Sequence, residues 1–301
     1  MSRRFHPSST SELPGGSRWR PAPALGASMA LHLLAIPALL AAPAAWPLWA
    51  GLLAADHVAL GLLGLSPGAA WIGASVTRLP APAAARNEVA LTFDDGPDPE
   101  VTPRILDLLD RAGARASFFC IGRRAARYPA LVADIVARGH SVENHSYHHA
   151  AGFALRPPWV IRRDLLQAQT VLTALVGRAP RFVRAPFGIR GPMLDPALAG
   201  TGLTHVAWTR RGRDTVTGDP ARIHATLTRD LAGGDILLLH DSGAAPGPDG
   251  ASVVLSVLPA LLADLRAAGL RSVGLPEAMP RRLTFPHPPA HVSATLREPM
   301  R

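Results

Sequence analysis

Between residues 22 and 65 apolar positions follow one another with scarcely a polar break. Asp56 is the sole acidic residue there, and no Arg lies between Arg20 and Arg78. The run exceeds one bilayer span, which takes about 20 apolar residues as a helix. PAAWP at residues 43–47 divides it into 24–42 and 47–65, so the pattern predicts a transmembrane helical hairpin. After residue 87 the pattern changes. Short apolar runs near 89–93, 116–120, 141–144, 182–184, 204–208, 236–239 and 272–275 alternate with helical patterns near 103–112, 129–138, 159–176, 192–199, 220–232 and 252–268. Such alternation belongs to βα units on a parallel sheet. Several of the helical stretches open on Pro, which suits a first helical turn. The class is α/β: about seven units, closing into a barrel one short of the usual eight or forming an open doubly wound sheet.

These shifts divide the chain into a basic N-terminal segment (1–21), a membrane region (22–65), a linker (66–86) carrying SPGAA and PAPAAA, a βα domain (87–279) and a Pro/Arg-rich tail (280–301). Arg3, Arg4, Arg18 and Arg20 precede the first span, and Arg78 and Arg86 follow the second. The positive-inside rule puts both flanks, and with them the βα domain, on the cytoplasmic side of a membrane, read as a bacterial inner membrane. A rival reading takes 24–42 as a signal peptide or single anchor, with small residues at 41–45 as a cleavage region, and makes the domain periplasmic. Asp56 and His57 fall in mid-span, where ionisable groups are costly; they read as a packed or water-facing polar pair.

Composition removes some alternatives. All 31 basic residues are Arg, and the formal charge is +9. They are spread along the chain without interleaved aromatics, beside abundant Ala, Pro and Gly, so the charge reflects coding bias and predicts no nucleic-acid partner. Cys120 is the only cysteine. It lies in SFFC, a core position, and excludes an internal disulfide or a cysteine-based zinc site.

Polar residues gather where the apolar runs end. Asp94 and Asp95 close the first run, His145 and His149 follow the third, Arg184 ends the fourth, Asp214 lies after the fifth and His240 ends the sixth. In parallel α/β folds chemistry sits at the C-terminal ends of strands. His145 and His149, four apart, can chelate one metal, and a carboxylate completes a two-His, one-carboxylate site with open positions. Adjacent aspartates at a strand end diverge. One can bind the cation while the other faces the substrate as a general base.

TFDDGP at 92–97, HSYHH at 145–149, RAPFG at 184–188 and LLLHD at 237–241 resemble, in order and spacing, the motifs of the polysaccharide deacetylase family (NodB homology domains, carbohydrate esterase family 4). The resemblance covers about residues 87–275. It implies a distorted (β/α) barrel and metal-dependent hydrolysis of an N-acetyl group on an amino sugar of a glycan or lipid-linked saccharide. It further implies Asp94 as general base, Asp95, His145 and His149 as ligands of zinc or a similar divalent ion, and Arg184 orienting Asp94 through an ion pair. The Phe187 N–H would stabilise the oxyanion, His240 would be the general acid, and Leu238 would line the pocket for the acetyl methyl group.

Three departures from the family pattern stand out. His148 occupies a position that commonly carries a small hydroxyl residue, and Phe187 one that often carries a hydroxylated aromatic. The motif that usually holds an Asp near a Trp is degenerate in VAWTRRGRDT. Trp208 there is either a groove wall or core, and Asp214 either tunes His240 or caps a loop. Asp241 reads as a loop residue. Two other function classes compete. A catalytically silent glycan-binding membrane protein on the same fold has no need of the full set of polar residues. A ferrous oxygenase site usually sits in a β-rich double sheet, against the βα alternation here.

Overall fold

The computed structural model describes residues 19–66 and 68–279. Most of the basic N-terminal segment and the expected tail from residue 280 lie outside the described residues. Two helices, α1 (Pro23–Ala41) and α2 (Trp46–Gly64), are joined by a 3-10 turn at Pro43–Ala45. A Pro is the first or second residue of each of the three, so the chain restarts where PAAWP interrupts the apolar run. Both helices are long and apolar enough to cross a membrane, and both leave most of their surface exposed. The Asp56 carboxylate is met inside the pair: the Ser28 hydroxyl donates to it at 2.7 Å.

The domain follows in the order α3 (Ala81–Ala85), β1 (Glu88–Asp94), α4 (Thr102–Ala112), β2 (Ala116–Cys120), α5 (Gly122–Arg127), α6 (Pro129–Ala137), β3 (Ser141–Asn144), α7 (Pro158–Val176), β4 (Phe182–Val183), α8 (Leu194–Leu198), β5 (Thr204–His205), β6 (Arg210–Arg211), α9 (Pro220–Thr228), β7 (Ile236–His240), α10 (Val253–Ala267), β8 (Arg271–Ser272) and α11 (Leu275–Ala278). The strands pair in parallel as β5-β4-β3-β2-β1-β7-β6, with β8 against the start of β1. This is the expected α/β architecture, a curled half-barrel with helices outside. The strand count is eight, because β6 is additional. The last expected strand is shortened to residues 271–272, since Pro276 opens a helical turn where the apolar run was expected to stay extended.

β1 explains how the site is positioned. All seven of its residues are buried, as a strand covered on both faces requires. Successive side chains alternate. Val89, Leu91 and Phe93 pack outward with Ile105 and Leu109 of α4 and Val254 and Leu258 of α10, and Phe93 stacks on Phe118 at 5.1 Å. Each such fully buried side chain stabilises the fold by about 1.5–3 kcal/mol. Ala90, by contrast, joins an inner cluster with Phe119, Phe182, Val206 and Ile236. Thr92 and Asp94 share that inner face, which leads a carboxylate to the strand's C-terminal end inside the curl.

The stretch 66–86, expected as a linker, is built into the barrel. The Val76 N–H donates to the His205 carbonyl at 2.9 Å and the Ala207 N–H to the Val76 carbonyl at 2.8 Å. Leu79 donates to Gly234, and Arg78 reaches the buried Asp235 at 3.0 Å. Main-chain pairing thus carries this segment along the open side of the sheet, between β5 and β7.

Candidate active site

Arg184, directly after β4, has no exposed surface and organises the inner face of the barrel. Its Nη1 donates to Asp94 Oδ1 at 2.7 Å and to Thr92 Oγ1 at 2.9 Å, while Nε and Nη2 donate to the Val206 and Ala207 carbonyls at 3.1 and 2.8 Å. The Phe119 ring lies under the guanidinium, 4.2 Å from its centroid. The ion pair expected from the sequence is therefore one strong contact, with the other donors spent on backbone. Burial lowers the Arg184 pKa from its ordinary value, and Asp94 counters it. A buried charge needs such a partner.

Asp95 leaves the strand in a left-handed conformation, φ +75°, and so turns away from Asp94. Its Oδ1 lies 3.3 Å from His145 Nε2 and 3.0 Å from His149 Nε2. His145 Nδ1 donates to the Arg184 carbonyl at 3.0 Å, because a carbonyl can only accept, and this leaves the Nε2 lone pair facing Asp95. His149 is set by a tight turn in which its own N–H donates to Ser146 Oγ at 3.0 Å, with both residues at positive φ. The three donor atoms lie within 4.8 Å of one another. Asp95 Oδ1 and His149 Nε2 are buried without a hydrogen-bond partner, an arrangement that costs energy unless a cation meets them. Burial pushes the Asp95 carboxyl up, but the two imidazoles outweigh it and hold the group well below the usual range. The donor set, hard and borderline with a fixed imidazole tautomer, fits a divalent metal.

Opposite, His240 ends β7. Asp214, fully buried, accepts from His240 Nδ1 at 2.8 Å and from the His240 main-chain N–H at 2.7 Å. Burial lowers the His240 pKa, yet Asp214, with help from Asp94 and Asp95, raises it above the ordinary value. Asp94, Asp95, His145, His149, Phe187, Leu238 and His240 line one cleft of about 320 Å³. Phe187 adopts φ +60° and lies against the His149 ring at 4.5 Å. Trp208 stands behind that wall: a Cβ on Gly188 would meet its ring at 2.5 Å, so the residue after Phe187 must be small.

All ten residues singled out in the sequence thus gather at this end of the barrel. Three lining residues were not anticipated, namely Arg211, Thr215 and Gly243. Arg211 belongs to the unforeseen β6, Thr215 closes the degenerate stretch VAWTRRGRDT directly after Asp214, and Gly243 lies two residues beyond LLLHD. His148 turns from the cleft to pair with Asp164 on α7 at 2.5 Å. Asp241 is buried; it accepts from the Thr102 hydroxyl at 2.7 Å, its own N–H donates to the Asp94 carbonyl, and burial above all lifts its pKa to about 7. It fastens β7 to β1 and α4.

Comparison with known proteins agrees with this geometry. A family model described as polysaccharide deacetylase matches residues 82–206. A chitooligosaccharide deacetylase of Bradyrhizobium sp. (strain ANU 289) is 37% identical over 161 residues, 54% of this chain and 73% of that protein. The crystal structure of the Bc1960 peptidoglycan N-acetylglucosamine deacetylase superposes with a TM-score of 0.61 at 31% identity, covering 68% of this chain and 92% of that one. A family 4 acetyl xylan esterase from Clostridium thermocellum, solved in complex with a cobalt ion, gives 0.56 at 30% identity, covering 64% and 89%. The deacetylases of carbohydrate esterase family 4 are metal-dependent, and with its fold, motifs and relatives this chain belongs to the polysaccharide deacetylase family as a deacetylase-type hydrolase.

Proposed function

We propose that the protein removes N-acetyl groups from amino sugars of a glycan or lipid-linked saccharide, by metal-dependent hydrolysis, while anchored in a membrane. The observation that carries this reading is the convergence, in one cleft, of the Asp95, His145 and His149 ligand set, two of whose atoms are buried without a partner, with the Arg184-held Asp94 and the Asp214-held His240. Asp95, His145 and His149 would hold the ion, with zinc the best match to the donor set. A divalent ion supplies polarisation of the acetamide carbonyl and acidification of a water.

The chain's own residues do the rest. Asp94, kept in place by Arg184, takes the proton of the attacking water. The Phe187 N–H donates to the oxygen that becomes negative as the acyl carbon turns tetrahedral. His240 donates a proton from Nε2 to the departing nitrogen, while Asp214 fixes its Nδ1–H and supports the charged form. Leu238 offers an apolar contact for the acetyl methyl, and Trp208 backs the wall that carries Phe187. The C–N bond breaks, water oxygen joins the acyl carbon, and acetate and a free amine leave.

The similarity of named relatives acting on chitooligosaccharide and peptidoglycan supports an N-acetylglucosamine-type unit. Residues 87–279 form the deacetylase domain in this reading and 22–65 the membrane region. The two exposed apolar helices support the anchor. The flanking arginines support a domain on the cytoplasmic side; a cleaved first helix would instead put it in the periplasm. The test is acetate release from an N-acetylglucosamine oligomer by the full chain. Release lost with EDTA and restored by zinc is expected, and EDTA-resistant release, or none from zinc-loaded protein, would overturn the proposal.

A further inference from the structure

The cleft is fastened directly to the base of the apolar hairpin. Three residues after Phe187, the buried Arg190 donates its N–H to the carbonyl of Gly64, the last residue of α2, at 2.9 Å. Its Nη1 reaches the Ala69 carbonyl at 3.3 Å. The contact is close enough that a Cβ on Gly64 would lie 2.6 Å from the Arg190 carbonyl oxygen. The other end of the hairpin is held close by: Trp19 Nε1, four residues before α1, donates at 2.9 Å to Asp195 Oδ2 in the first turn of α8. Between these ties Leu25, Leu60, Ala69 and Ile72 form a small core of their own. The segment from Phe187 to Asp195, which supplies a wall of the cleft, is therefore clamped to both membrane-proximal ends of the helix pair.

Length and surface chemistry say what this clamp does. A 19-residue helix is about 28 Å long at 1.5 Å per residue, close to the hydrocarbon thickness of a bilayer. With the turn at Pro43–Ala45 on the far side, the clamp sits at one bilayer surface. The side chains around it are apolar and uncovered: Leu65 is 61% exposed, Trp71 64%, Ile189 38%, Met193 37% and Leu155 88%. Leu155 belongs to this rim because its neighbour Ala154 lies directly against Gly191, where a Cβ would meet the Ala154 carbonyl oxygen at 1.9 Å. Exposed aliphatic groups with an indole at the end of a span are the composition of a membrane-interface belt. Facing water, such exposed apolar side chains would be a liability.

We propose that the cleft is held at the bilayer surface and that its substrate is an N-acetylated amino sugar carried on a membrane lipid. The acetamide enters between Asp94 and His240 while the carrier remains in the bilayer beside the rim. This rests on the deacetylase reading and narrows its acceptor from any N-acetylated glycan to a lipid-linked one. The reaction stays hydrolysis: water adds to the acyl carbon, the amide C–N bond breaks, acetate departs, and the amine that takes the proton stays on the carrier.

The experiment uses the full chain, zinc-loaded, in phospholipid nanodiscs. Acetate release is compared for soluble tri-N-acetylglucosamine and for N-acetylglucosamine joined through pyrophosphate to a polyprenol in the same discs. The expected result is a kcat/KM at least tenfold higher for the lipid-linked sugar. The double variant Trp71→Ser, Leu155→Ser should remove most of that advantage through KM and leave the rate on the trimer unchanged. Equal handling of the two substrates, or a double variant that alters neither or both alike, would overturn the lipid assignment and leave the deacetylase reading standing. Release from neither substrate would overturn both.

Discussion

Asp214 grips His240 at two points, one carboxylate oxygen on the imidazole Nδ1 at 2.8 Å and the other on the main-chain N–H at 2.7 Å. The first contact fixes the tautomer and the second fixes the ring's position relative to β7. A residue in a degenerate stretch of sequence, which could as well have been a loop cap, is thus the positioning partner of the proposed acid. The pair also sets a protonation state, because burial favours the neutral imidazole and Asp214 reverses that preference.

Replacing Asp214 by Asn should therefore lower the His240 pKa. A general acid must be protonated to act, so the alkaline limb of the kcat/KM profile should move to lower pH, and kcat should fall by about 10- to 100-fold. Bound zinc per chain should not change. A pH–rate profile of D214N beside a metal assay checks all three.

Arg184 makes four hydrogen bonds with no exposed surface, and Asp94 is its only charged partner among the described residues. Arg184→Met leaves a buried carboxylate and two buried carbonyls without their donor. The expected loss is about 3–5 kcal/mol of stability together with acetate release. Arg184→Lys restores the charge but not the fork, so it should recover part of the stability and little activity. Denaturant melts and acetate assays on both variants separate the two contributions.

Glu143 provides a pH test away from the cleft. Its carboxylate accepts the N–H groups of Arg181 and Phe182 at 3.0 Å, yet burial dominates and lifts its pKa from 4.5 to about 7. The native state then binds more protons than the unfolded chain between these values. Stability from this group is present below pH 4.5 and is lost as the pH rises to about 7, by up to about 3 kcal/mol. Glu143→Gln keeps an acceptor for both N–H groups and cannot ionise. Its melting temperature should gain on the native chain's as the pH is raised through that window, and parallel curves would contradict the assignment.

The elements legible in the sequence are those that declare themselves through side chains. β1 is a continuous apolar run because both its faces are covered, and the polar residues at strand ends stand out against such runs. β6 is two arginines, Arg210 and Arg211, paired to β7 through the backbone, and it has no apolar alternation to betray it. The Val76 pairing with β5 is equally silent, since main-chain donors do not register in composition. Gly64 and Arg190 show the same limit: a glycine ending an apolar helix and an Arg far along the chain carry no sign that they meet. His148 stands where the family pattern commonly has a small hydroxyl residue, and only the fold reveals that Asp164 on α7 claims it.

In the proposed mechanism the adjacent carboxylates Asp94 and Asp95 have separate work, one moving a proton and the other holding a metal. Zinc content and acetate release should be measured together on Asp94→Asn and Asp95→Ala, each as the full chain. One zinc per chain and no acetate are expected from D94N, and neither zinc nor acetate from D95A. Metal lost from D94N, or acetate released by it at the native rate, would contradict that division.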